Sequence, residues 1–187
     1  MTGKEQPVGE QKTYIHATAE VHEDADIGAG SMVWNWSKVR ENTKTGINCN
    51  IGQCVYIDTG VVMGDACKVQ NGVSVYQGVR LGDKVFVGPN ATFTNDRFPR
   101  AHSEEWEIVP TIIEDGVSIG ANSTIICGVT LGKHCMIAAG ATVTRDVPAH
   151  ALVMGQPARM VDYVTISGER LGHDMDGPPP TEQQLEQ

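Results

Sequence analysis

The sequence predicts an all-β chain wound into a parallel β-helix, and three observations carry that prediction. Apolar residues recur at every sixth position from Ile15 to Phe93 without a slip: Ile15, Val21, Ile27, Val33, Val39, then Ile51, Ile57, Met63, Val69, Val75, Leu81, Val87 and Phe93, with Thr45 the exception. The residue four positions after each lead is usually small or branched, from Ala19, Ala25, Ser31 and Ser37 to Val79, Val85 and Ala91. Glycine often follows the lead directly, as in Ile27-Gly28, Ile51-Gly52, Met63-Gly64, Leu81-Gly82 and Val87-Gly88.

A beat of six fits neither a helix face nor a long alternating strand. Read as an internal repeat, it builds coils of three hexads, eighteen residues each. The lead side chain fills the prism. The residue four later turns inward near a corner, where only slim side chains fit. Glycine beside the lead is expected to supply turn geometry that other residues resist.

The beat breaks once. After Phe93 it resumes at Ile113 and continues through Ile119, Ile125, Leu131, Ile137, Val143 and Ala149. The regular spans 15–98 and 113–154 make about seven coils when 99–112 is set aside as one protruding loop. A long excursion from a regular repeat is more often functional than accidental.

The expected organisation is a polar leader at 1–13, a β-helix domain at 14–160 carrying loop 99–112, and a C-terminal extension at 161–187 with a disordered tail. The tail contains Pro178-Pro179-Pro180 among polar residues, a composition that cannot build a core. Met1–Thr13 lacks the apolar centre of a signal peptide, and no apolar run is long enough to span a membrane. A net charge of −9 argues against a nucleic-acid partner. Of five cysteines, Cys49, Cys67 and Cys135 fall on inward positions; an odd number spent as core filler reads as reduced and cytoplasmic. No paired cysteines have zinc spacing, and no metal is expected.

Several residues stand outside the inward phase. Trp34 and Trp36 flank Asn35 and either dock another subunit or stack on a ligand. Gln70, Asn71, Ser74 and Tyr76 form either a wet face with side-chain ladders or a substrate wall beside the break. Asn95 and Asp96 are the last polar residues before the chain leaves the rod, on a rigid edge suited to a directed polar contact. Arg97 and Arg100 either bind an anionic group or pair with Glu104, Glu105 and Glu107. His102, the one histidine of the break, is either solvated or a base, and Trp106 is a candidate pin for the loop. Small residues through 137–148 leave a shallow groove for an extended ligand.

The hexads, the interrupting loop and the ending Gly155-Gln156-Pro157-Ala158-Arg159 resemble the hexapeptide-repeat acyltransferases, whose helix is left-handed, an exception to the right-handed crossover rule. The segments 69–76, Val87-Gly88-Pro89, 93–100, Ile119-Gly120-Ala121-Asn122 and Ser167-Gly168-Glu169-Arg170-Leu171 are similar to the nucleotide-sugar 3-N-acetyltransferases. That resemblance implies a homotrimer with sites between neighbouring rods. It implies acetyl-CoA as co-substrate, and a UDP- or dTDP-linked 3-amino sugar as acceptor for surface polysaccharide such as lipopolysaccharide O-antigen. By motif position Asn95 would orient the amine, with His102 as a possible catalytic substitute. Ala121, Ala139, Thr144, Arg145 and Arg159 would line the cofactor site, the two arginines meeting phosphates. Gln70, Asn71, Tyr76, Asp96, Arg97 and Arg100 would form the acceptor side. Ile112-Ile113-Glu114-Asp115-Gly116 stands where glucuronate-type members carry a basic patch, which favours a neutral 3-amino-3,6-dideoxyhexose.

Two other functions compete. A metal-dependent hydratase of the carbonic anhydrase kind needs three convergent histidines, and His16, His22, His102, His134 and His150 lack paired ligand spacing. A non-catalytic scaffold is the other, since one fold hosts many functions.

Overall fold

The computed structural model describes residues 12–103 and 107–187. The leader through residue 11, and the expected contacts of Glu104, Glu105 and Trp106, lie outside them. The chain forms a left-handed parallel β-helix. Three faces stack strands mostly two residues long. On the first face Ile15 pairs with Val33, Val33 with Ile51, Ile51 with Val69, and so on to Ile137 with Val153. The second face runs from Glu20–Val21 to Thr142–Val143, and the third from Asp26–Ile27 to Thr130–Leu131. Seven coils close, and Ala151–Met154 begins an eighth on the first face.

The inward leads fill the prism: Val33, Ile51, Ile57, Phe93, Ile119, Ile125 and Leu131 are all fully buried. Thr45 keeps the beat because its hydroxyl is satisfied inside, accepting Gly28 N at 3.1 Å. Most polar residues at the slim inward positions follow one rule. Ser31, Cys49, Cys67 and Ser123 each donate to the corner carbonyl fifteen residues on: Gly46 O, Gly64 O, Gly82 O and Ala138 O, at 3.0 to 3.2 Å. Serine and cysteine are small enough to enter the corner and still satisfy a carbonyl that would otherwise cost free energy.

The glycine beside each lead has a different job from the expected one. Its φ is not left-handed. A Cβ on Gly64 would lie 2.6 Å from Gly82 C, and one on Gly120 would lie 2.7 Å from Ala139 Cα. These glycines permit close coil-to-coil approach. The left-handed residue comes two positions later, as at Asn90 (φ 58) and Asn122 (φ 57), and asparagine tolerates that region.

Two boundaries also move. The excursion leaves after Phe93 and ends at Pro110, because Thr111–Ile113 is a strand registered on Val79–Leu81. Thr111 and Ile112 therefore belong to the rod rather than to loop 99–112. Ala149 does not hold the inward phase. Val147 replaces it, buried and bridged to Leu131, while Ala149 is exposed at a corner. The last coil is two residues short.

The rod ends in a hairpin. Arg159–Tyr163 returns antiparallel to Ala151–Met154, with a register irregularity between Leu152 and Val153. The expected boundary at 161 thus falls inside a strand. The tail expected to be disordered carries one helical turn, Glu182–Leu185, whose Leu185 O accepts Ile166 N at 2.8 Å.

Candidate active site

Each coil has three edges: the first between faces one and two, the second between faces two and three, the third between face three and the next coil. The excursion leaves from the second edge. Its stem is pinned to the rod by the repeat's own hydrogen bonds. Thr94 N donates to Ile125 O at 3.0 Å, and Thr94 Oγ1 accepts Cys127 N at 2.9 Å. Asp96 bridges Ile108, and Val109 N donates to Asn95 O at 3.2 Å. Asn95 is half-buried at this foot, and its side chain makes no hydrogen bond to another described residue.

Two left-handed glycines seat the stem. Gly78 (φ 94) lies under Ile108, and Gly128 (φ 83) lies under Arg97 and Val109. Arg97 thus folds back on the rod. Asp96 Oδ1 accepts Phe98 N at 2.8 Å, closing a tight turn. Arg100 is exposed and donates to Pro99 O at 2.7 Å; His102 is exposed on the following turn.

Below the foot the second edge holds a network that the sequence reading passed over. Tyr56 OH donates to Asp58 Oδ1 at 3.0 Å and accepts Arg40 Nη1 at 3.2 Å. Asp58 Oδ2 accepts Gln77 N at 3.3 Å, holding the corner that presents Tyr76. Tyr76 packs on Tyr56 with ring centroids 5.9 Å apart. Glu41 grips Arg40 through two bonds, at 2.8 and 2.9 Å, which hold its carboxyl below the usual range. The missed signal was the coil length itself: Arg40, Asp58, Tyr76 and Thr94 are eighteen apart and so form one column.

Above the foot, Thr144 and Arg145 form one wall of a cleft of about 260 Å³; Arg159 and Met160 of the terminal hairpin form the other. Arg145 and Arg159 are exposed, and Arg159 Nη1 rests on Ala158 O at 2.9 Å. Two cations at one cleft suit an anionic group.

The remaining candidates lie on the first edge. Ala121 and Ala139 occupy successive coils, joined by Gly140 N to Ala121 O at 2.8 Å. Gln70 and Asn71 line a hollow with Trp34, Asn35, Asn50 and Gln53. Asn71 Oδ1 accepts Gln53 N at 2.9 Å, the coil-to-coil ladder that the sequence left open. One chain therefore brings Tyr76, Asn95, Thr144, Arg145 and Arg159 to its second edge and sets Gln70, Asn71, Ala121 and Ala139 on its first. His134 and His150 pair with ring centroids 5.1 Å apart, and no group of three metal-ligating side chains forms among the described residues.

Residues 60–95 match the bacterial transferase hexapeptide (six repeats), and 110–145 match the hexapeptide repeat of succinyl-transferase. The chain carries the hexapeptide repeat of these transferases over both stretches. This hexapeptide-repeat chain is 32% identical over 154 residues to the bifunctional protein GlmU of Thermosynechococcus vestitus, covering 82% of itself and 32% of that protein. A shorter match, 52% identical over 54 residues, is to a dTDP-3-amino-3,6-dideoxy-alpha-D-galactopyranose 3-N-acetyltransferase of Aneurinibacillus thermoaerophilus; it covers 29% of this chain and 28% of that one. Among solved structures, a hexapeptide-repeat-containing acetyltransferase of Vibrio cholerae complexed with acetyl-CoA superposes with a TM-score of 0.52 at 29% identity, covering 60% of this chain and 69% of that one. The chain spans about a third of the length of the curated relatives it matches. No helix among the described residues is long and apolar enough to cross a membrane.

Proposed function

We propose that the chain transfers an acetyl group from acetyl-CoA to the 3-amino group of a dTDP- or UDP-linked amino sugar. The observation that carries this reading is Asn95, held by backbone bonds at the foot of the excursion with its amide turned to no described neighbour. The name of the Aneurinibacillus relative supports the acceptor class, and the acetyl-CoA complex of the Vibrio structure supports the donor.

In this reading Asn95 hydrogen-bonds the acceptor amine and aims its lone pair at the thioester carbonyl. The C–N bond forms, the C–S bond breaks, and the amine proton leaves with the departing sulfur as thiol. An unprotonated amine is already nucleophilic, so positioning supplies much of the acceleration; His102 is the alternative base. Arg145 and Arg159 hold the donor's phosphates, and Tyr76 with the Arg40–Tyr56–Asp58 network flanks the acceptor. The division of candidates between two edges is the reason to propose a homotrimer: packing the first edge of one copy on the second edge of the next completes the site. The acidic stretch Glu114-Asp115 favours a neutral 3-amino-3,6-dideoxyhexose, made in the cytoplasm for surface polysaccharide.

Incubation with acetyl-CoA and a panel of dTDP- and UDP-3-amino sugars is expected to release free thiol with at least one acceptor. A complete panel without thiol release would end this reading.

A further inference from the structure

The terminal hairpin supplies one wall of the upper cleft, and its outer strand lies at the edge of the sheet. Arg159–Tyr163 has one hydrogen-bonded neighbour strand, Ala151–Met154, and their register slips between Leu152 and Val153. A strand with one free edge and an irregular ladder needs another restraint to hold its side chains in place. Ala158 N and Val164 N, flanking the strand, donate to Thr142 O and His150 O at 2.8 Å; Asp162 adds the restraint within the strand itself. Its carboxylate is 1% exposed. It accepts Tyr163 N at 2.8 Å, His173 N at 2.8 Å, Gly172 N at 3.0 Å and the Arg170 guanidinium.

These bonds tie residues 164–173 back across the strand. Val164 bridges Arg170, Leu171 N donates to Tyr163 O at 3.0 Å, and the Tyr163 and His173 rings meet edge to face at 5.3 Å. Burial alone would raise the Asp162 carboxyl, but Arg170 and the three backbone donors outweigh it and hold it at about 2. The knot is therefore charged throughout the neutral range. Asp162 and Arg159 lie on the same short strand, three residues apart.

We infer that Asp162 is a positioning residue for the cofactor cleft: by knotting the 164–173 strap to the terminal strand, it fixes the angle at which Arg159 meets the donor's phosphates. This rests on the reading of the cleft given above. The test is calorimetric titration of the full chain with acetyl-CoA, which needs no acceptor. Arg159→Ala is expected to weaken binding about tenfold, the size of one charge-assisted contact. Asp162→Ala is expected to weaken it to a similar extent, and the double variant to bind no more weakly than Arg159→Ala alone, because coupled residues are not additive. Arg170→Ala, on the exposed side of the knot, is expected to shift binding in the same direction by about threefold and keeps the test open should Asp162→Ala fail to fold. A strap that only stabilises the rod would lower the melting temperature without this dependence on Arg159. Wild-type affinity in Asp162→Ala or, where that variant does not fold, in Arg170→Ala, with Arg159→Ala weakened, overturns the inference and leaves the cleft intact. So do losses that multiply in the double variant. No acetyl-CoA binding by the unaltered chain, or wild-type affinity in Arg159→Ala, removes the cleft assignment and this inference together.

Discussion

The second and third edges of the rod are built by the same repeat and are both polar, yet they spend their polar groups differently. On the third edge the aspartates Asp65, Asp83 and Asp115 are each taken up by the coil below. Ile47 N donates to Asp65, Asp65 N to Asp83 and Asp83 N to Asp115, at 2.8 to 3.0 Å, and Lys133 Nζ closes the column 3.1 Å from Asp115. On the second edge the column is also tied, through Asp58 and, at the foot, through Thr94, which accepts Cys127 N; the exception is its neighbour. Asn95 uses its backbone to hold the stem and leaves its amide over. Polarity alone does not mark a site on such a rod; a half-buried amide left unbonded at the foot of the excursion sets Asn95 apart from the exposed corner asparagines.

The comparison can be broken from either side. The largest effect is expected at the second edge: Asn95→Ala is expected to lower turnover about a thousandfold, the scale for removing one preorganised donor, while the melting temperature stays near that of the unaltered protein. Near-normal turnover would make the two edges equivalent. Gly64→Ala on the third edge is expected to do the reverse. Its Cβ would meet Gly82 backbone at 2.6 Å, and overpacking of this kind costs about 3 kcal/mol, read by chemical denaturation, with turnover per folded molecule unchanged. The smallest effect concerns the ladder's charge. The Asp83 backbone N–H, and then Lys133, hold the Asp115 carboxyl below its ordinary value. A depressed folded value means that the ladder's contribution is present above the unfolded carboxyl's range, about pH 3.9, and is lost as pH falls through and below it. Asp115→Asn is expected to cost less than about 1 kcal/mol at pH 7, as an exposed pair should. Its melting curve should merge with that of the unaltered protein in strong acid; a difference that persists there would remove charge from the account.

The rod was legible because a beat of six has one structural solution, and the inward cysteines and serines were readable from phase alone. The role of the lead-adjacent glycines was misread. Sequence shows that a side chain is absent, but only stacked coils show whether the gain is in φ or in clearance. Ala149 was placed inward because the beat predicted it; the two-residue shortening that brings Val147 inside leaves no mark before Pro148. At the candidate site, motif position proposes Asn95, and the structure adds the backbone bonds that hold it at the foot of the excursion. Arg40 and Asp58 stand in one column with Tyr76 and Thr94 at a spacing of eighteen, but four different residue types make no repeat that composition or hydrophobic phase would show. In sequence Arg97 reads either as an anion binder or as a partner of Glu104, Glu105 and Glu107; its seat over Gly128 could not be read because that glycine lies thirty-one residues away.

Phe93 still pairs with Ile125 across thirty-two residues, where coils without an excursion use eighteen, or sixteen in the shortened last one. The stacking does not count what lies outside it. Natural variation can therefore lengthen, trim or exchange the protruding segment without re-registering a single rung, so that one edge can be rewritten while a lineage inherits everything else unchanged.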